Sequence, residues 1–143
     1  MALSFRYKSI KRPKGNVVKA PHIPVNLITK SSMSIEVIAL LDSGADVSVI
    51  PQDIADLLGV DLTKEKEISR GIGGEVEVIN TKIKINLKKG HENYDFLIPV
   101  QVIMGDSKVP VILGMAGFFD KFKITFDQAN EIVSLKRYSN NNF

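Results

Sequence analysis

The stretch Leu40-Leu41-Asp42-Ser43-Gly44-Ala45-Asp46-Val47-Ser48-Val49-Ile50-Pro51, "LLDSGADVSVIP", runs an apolar strand into a carboxylate. After one glycine it returns to apolar alternation. An ordinary surface turn needs only Asp-Gly or Asn-Gly between polar flanks. Here the acid is hemmed in by Leu40, Leu41, Val47, Val49 and Ile50. A carboxylate in such surroundings is costly unless something compensates it. The pattern marks Asp42 as an acid held half-buried for its chemistry.

Outward from this turn the chain reads as β structure. Ile35, Val37 and Ala39 alternate with Glu36 and Ile38 on the way in, and Val76 and Val78 alternate with Glu75 and Glu77. Ile83, Ile85 and Leu87 alternate with Lys82, Lys84, Asn86 and Lys88; Phe122, Ile124 and Phe126 alternate with Lys121, Lys123 and Thr125. A last strand is expected over Ile132 to Leu135, after a turn at Asp127 to Asn130. Helix is scarce. Pro51 opens a short one in which Ile54, Leu57 and Leu58 share a face, and Gly59 supplies the stop. A second short piece is expected over Met115 to Phe119. Many short strands with one or two short helices predict an all-β fold, a closed barrel-like lobe.

A chain of 143 residues is one ordinary domain, and 44% hydrophobic with 24% charged residues is a globular composition. With no cysteine, disulfides, thiolate metal sites and thiol nucleophiles are all excluded. His22 and His91 stand far apart without metal-ligand spacing. The first residues are basic without an apolar run, and no stretch approaches the roughly 20 apolar residues that span a bilayer. A cytoplasmic protein is the expectation. The first 35 residues hold seven Lys or Arg and no acid, whereas the remainder holds 12 basic and 16 acidic residues. With Pro13, Gly15, Pro21 and Pro24 as punctuation, residues 1–24 read as a flexible basic arm and regular structure is expected from about Val25. Residues 25–136 form the domain and 137–143 a polar tail. A basic arm of this kind binds nucleic acid or an anionic surface in some proteins, but Phe5 and Tyr7 are its only aromatics, too few for a base-stacking module.

A strand followed by Asp42-Ser43-Gly44, then Ala45-Asp46 and an apolar strand, resembles the catalytic loop of the retropepsin-like aspartic proteases. Two further segments fall in that family's order. "RGIGGEVEV" (Arg70 to Val78) sets Gly71, Ile72, Gly73 and Gly74 between alternating strands and is similar to the flap, a hairpin that closes over bound peptide. "VPVILGMAGFFDKF" (Val109 to Phe122) is similar to the apolar-apolar-Gly segment that crosses beneath the catalytic loop, with Gly114 allowing close backbone approach. Many viral members carry Arg directly after that glycine; Met115 stands there in this chain, as in the cellular and retrotransposon branch.

The resemblance implies that Asp42 is the catalytic carboxylate, supported by Ser43 and Gly44. It implies that Ala45, Asp46, Gly71, Ile72, Gly73, Gly74 and Ile112 bind substrate. Ser43 would tie the loop to its symmetry mate, and Gly44 would adopt a backbone conformation that a Cβ resists while its amide donates to the carboxylate. Peptide hydrolysis by this chemistry needs two carboxylates sharing a proton. The chain has one Asp-Ser-Gly, and "GDSK" at Gly105 to Lys108 has lysine where glycine is required. The implied enzyme is a homodimer that contributes Asp42 twice and cleaves extended, mostly apolar peptide segments, with no metal or organic cofactor. The alternative is a dimeric peptide- or protein-binding module of the same fold with weak or no proteolysis.

Overall fold

The computed structural model describes residues 2–12, 14–71, 74–106 and 108–138. Their strands are β1 (Ala2–Arg6), β2 (Lys8–Lys11), β3 (Val17–Ala20), β4 (His22–Ile28), β5 (Ser34–Leu41) and β6 (Ser48–Pro51), with β7 (Glu67–Gly71) and β8 (Gly74–Lys89) after the helix α1 (Gln52–Leu58). The chain continues through β9 (Glu92–Ile103), β10 (Ile112–Leu113), β11 (Phe122–Asp127) and β12 (Ile132–Arg137). The fold is all-β, as the alternation predicts.

Period-2 patterning decides which residues meet. In β4, Ile23, Val25 and Leu27 point inward and are buried, as do Ile83, Ile85 and Leu87 in β8 and Phe96, Ile98, Val100 and Val102 in β9. Each such side chain contributes on the order of 1.5–3 kcal/mol on burial. Seven strands share one sheet in the order β4-β5-β10-β6-β9-β8-β7. Asn26, Leu27 and Ile28 of β4 also pair with Asn86, Ile85 and Lys84 of β8, so the sheet closes on itself and leaves β7 outside the ring. A smaller sheet, β1-β12-β11, packs its buried Leu3, Phe5, Val133 and Leu135 into the same core. Phe118, Phe122 and Phe96 join the two sheets, their ring centroids 5.4–5.9 Å apart.

Three local expectations need correcting. Regular structure begins at Ala2 and not at Val25: β1 pairs antiparallel with β12, and β2 with β3. Leu3, Phe5 and Tyr7 are buried, while the intervening Ser4, Arg6 and Lys8 face out. Arg6 occupies an outward position of half-buried β1, whose burying partner lies some 130 residues downstream, and Lys8, Lys11 and Lys19 stand on the β2–β3 hairpin. Pro24 is compatible with β4 because at that point the strand has β5 alone as a neighbour.

The helix spans Gln52–Leu58 and ends on Gly59 at φ 77°, as expected, but its inward face is Ile54, Ala55 and Leu58. Leu57 is 64% exposed. The second piece is a 3-10 turn at Phe119–Lys121 and not a helix from Met115. The N–H groups of Met115 and Ala116 are already given to the Ala45 and Asp46 carbonyls, and Gly117 has φ 83°. Gly117's left-handed backbone keeps a right-handed helical turn from starting at Met115.

Candidate active site

Asp42 is the first residue beyond β5 and is half-buried. Its backbone N–H donates to the Leu113 carbonyl (3.0 Å), and its own carbonyl accepts from the Ala45 N–H (3.1 Å). Its carboxylate Oδ1 accepts from the Gly44 N–H at 2.9 Å. Gly44 does not have a positive φ, contrary to the backbone role expected of it. The reason for glycine is space: a Cβ there would lie 3.2 Å from Asp42 Oδ1 and crowd the carboxylate.

What holds the turn is β10, slotted between β5 and β6. Ile112 and Leu113 run parallel to Leu40 and Leu41, and Ile112 is antiparallel to Val49. Gly114 is buried where a Cβ would come within 2.7 Å of the carbonyl oxygens of both Ala45 and Val47. Close approach excludes every side chain at this position. The Gly114 N–H donates to the buried Ser48 hydroxyl at 3.0 Å, the Met115 N–H to the Ala45 carbonyl at 2.8 Å and the Ala116 N–H to the Asp46 carbonyl at 2.9 Å. Residues 42–48 are thus stitched to residues 113–116 by four hydrogen bonds, and the carboxylate sits on a braced turn.

Ser48 is a residue that sequence reasoning missed. Its signal was present: a lone hydroxyl at an inward position of an otherwise apolar strand, 1% exposed in the folded chain. His22 was also missed as a structural element. It pairs with Leu40 across β4 and β5, two residues before Asp42, and its Nδ1 has no hydrogen-bond partner among the described residues. Burial holds its imidazole below the ordinary histidine range and nearby Lys8 adds to that, against a hydrogen bond to the Ala20 backbone.

The fold brings Asp42, Ser43, Gly44, Ala45, Asp46 and Ile112 into one knot. Ser43 and Asp46 are exposed, and among the described residues neither the Ser43 hydroxyl nor the Asp46 carboxylate has a side-chain partner. The glycine-rich hairpin is separate. β7 and β8 pair down to Gly71 opposite Gly74, with Arg70 Nε 2.9 Å from Glu75 Oε1 across the strands. Gly74 has φ 111°, a conformation that side chains disfavour. Ile72 and Gly73 lie outside the described residues. β7 is the sheet edge, separated from β10 by β8, β9 and β6.

A family model described as aspartyl protease matches residues 33–116, which takes in the braced turn, the hairpin and the Gly114 segment. The chain belongs to the aspartyl protease family. No curated protein sequence matches it. A retropepsin-like aspartic protease from Rickettsia conorii is similar in structure, with a TM-score of 0.59 and 19% identity over 94% of this chain and 98% of that one. The retroviral protease-like domain of Ddi1 from Leishmania major is similar with a TM-score of 0.50 and 18% identity, covering 85% of this chain and 96% of that domain. Both likenesses show the retropepsin-like fold. Among the described residues, no helix is long and apolar enough to cross a membrane.

Proposed function

We propose that this chain is an aspartic endopeptidase active as a homodimer, with Asp42 of each protomer forming the catalytic pair. The observation that carries the reading is the braced Asp42 turn: a half-buried carboxylate, one oxygen held by the Gly44 N–H and the turn fixed from beneath by β10. One Asp42 takes a proton from a water molecule as that water attacks the peptide carbonyl carbon. The other gives its proton to the carbonyl oxygen, and collapse of the tetrahedral intermediate passes a proton to the leaving amine. The exposed Ser43 hydroxyl is free to bond across the twofold axis. The β7–β8 hairpin covers the bound peptide, Ile112 and Ala45 offer apolar contact, and Asp46 receives substrate backbone N–H groups. Substrates are extended, mostly apolar peptide segments, and the chemistry needs no metal or organic cofactor. The protein works in the cytoplasm.

Cleavage of a peptide library by the wild-type chain and by Asp42→Asn, each with and without pepstatin, tests the reading. Cleavage by the wild type alone, blocked by pepstatin, is expected. Peptide binding without cleavage by either protein would favour a binding module of the same fold.

A further inference from the structure

A cleft of about 620 Å³ opens where the N-terminal strands meet the ring, lined by Ser4, Phe5 and Arg6 of β1, Lys8, Pro24, Lys88, Lys89 and Ile132. None of these residues belongs to the Asp42 turn, and none is acidic. Four cations from β1, β2 and the end of β8 converge here, in a chain whose sequence from residue 36 onward carries more acid than base. Lys89 is committed within the fold: its Nζ donates to the Ser4 carbonyl and lies 4.5 Å from the Phe5 ring centroid. Arg6, Lys8 and Lys88 make no ion pair among the described residues. The acid next to Ile132, Glu131, is already taken by Lys19 at 3.1 Å. Grouping like charges without a counter-ion opposes folding, so the arrangement calls for an anionic partner.

We propose that this cleft is an exosite for an acidic polypeptide segment, and, resting on the endopeptidase reading above, that the segment belongs to the protein substrate. The shape selects the partner. The one lining aromatic, Phe5, is buried and capped by the Lys89 ammonium, which leaves no open ring for a nucleic-acid base. Pro24 and Ile132 offer aliphatic contact beside the cations. A segment alternating Glu or Asp with an aliphatic residue meets both features. Docking there raises the local concentration of a scissile segment elsewhere in the same substrate.

The test is fluorescence anisotropy of a labelled peptide alternating Glu and Leu, titrated with full-length Asp42→Asn protein so that binding is read without cleavage. The pair Arg6→Glu and Lys88→Glu is expected to weaken binding by about tenfold or more, as reversal of an interfacial charge does. The pair Lys123→Glu and Lys136→Glu, which changes net charge equally on β11 and β12, is expected to leave it within about twofold. Equal weakening by both pairs, no binding by the unaltered cleft, or tighter binding of single-stranded RNA with the same loss at Arg6 and Lys88 would each overturn the proposal. A second measurement separates the two readings. Appending the acidic segment to a cleavable peptide should lower KM for wild type and not for the Arg6, Lys88 variant. Binding with no cleavage of any peptide would leave the cationic cleft standing and remove the endopeptidase.

Discussion

Gly114 donates its backbone N–H to the buried Oγ of Ser48 at 3.0 Å, tying the strand beneath the Asp42 turn to the strand that leaves it. Neither partner tolerates change. Gly114→Ala places a methyl within 2.7 Å of two backbone oxygens and is expected to destabilise the fold by about 1–3 kcal/mol or more, as overpacking does. Ser48→Ala leaves the Gly114 N–H buried without an acceptor, and about 1–3 kcal/mol should be lost. Urea unfolding monitored by circular dichroism measures both. Unchanged midpoints in both variants would mean that the turn is not braced from β10.

The N-terminal strand is part of the core, so shortening it has a calculable consequence. Phe5 is 6% exposed and sits opposite Val133 in the register of β1 and β12. Phe5→Ala is expected to cost about 3–5 kcal/mol, in the range for buried aromatic truncation. A flexible arm would give a change near zero in the same unfolding experiment.

His22 makes stability depend on pH in a defined window. Its folded pKa lies below its ordinary value because burial disfavours the imidazolium. Between those two values the unfolded chain binds the proton and the folded chain does not, so stability is full above about pH 6.5 and declines as pH falls below it. Asp61 and Asp127 are held low by hydrogen bonds from Thr63 and Asn130, so their own loss of stability comes at more acidic pH. His22→Leu should flatten the part of the stability profile that falls just below about pH 6.5 while leaving the fall at more acidic pH. An unaltered profile would place the acid sensitivity elsewhere.

Gly74 closes the hairpin expected to cover substrate, at φ 111°. A β-branched side chain there is strained by about 1–3 kcal/mol, which restricts the backbone next to the tip. Gly74→Val should lower turnover by about tenfold or more while the unfolding midpoint falls only modestly, because the residue is exposed. Turnover equal to wild type would take the hairpin out of the mechanism.

The fold class was legible because Ile83, Ile85 and Leu87, and the approach to Asp42, alternate cleanly enough to specify one buried face. The Asp42 turn stood out in the sequence because a carboxylate among Leu40, Leu41, Val47 and Ile50 has few structural uses. Leu3, Phe5 and Tyr7 follow the same alternation, yet their meaning depended on β12, and local composition weighed on the opposite side. The position of the 3-10 turn was likewise hidden, since what keeps a helix from starting at Met115 is the left-handed φ of Gly117, in a backbone drawn onto the distant carbonyls of Ala45 and Asp46. Gly114 was legible as a point of close backbone approach, which is what the fold shows there, but Ser48 drew no attention alone; only their contact across 66 residues gives the serine a role.

The central claim is that two Asp42 carboxylates, one from each chain, make one active site. Mixing wild type with Asp42→Asn under subunit exchange, at constant total protein above the dimer dissociation constant, tests it most directly. If both carboxylates are required, only wild-type homodimers cleave, and activity follows the square of the wild-type fraction: about a quarter of full activity at an equal mixture. Activity that falls in simple proportion, to about a half at an equal mixture, would mean that each chain works alone, and activity of about three quarters would mean that one Asp42 per dimer suffices; either would contradict the shared-site account.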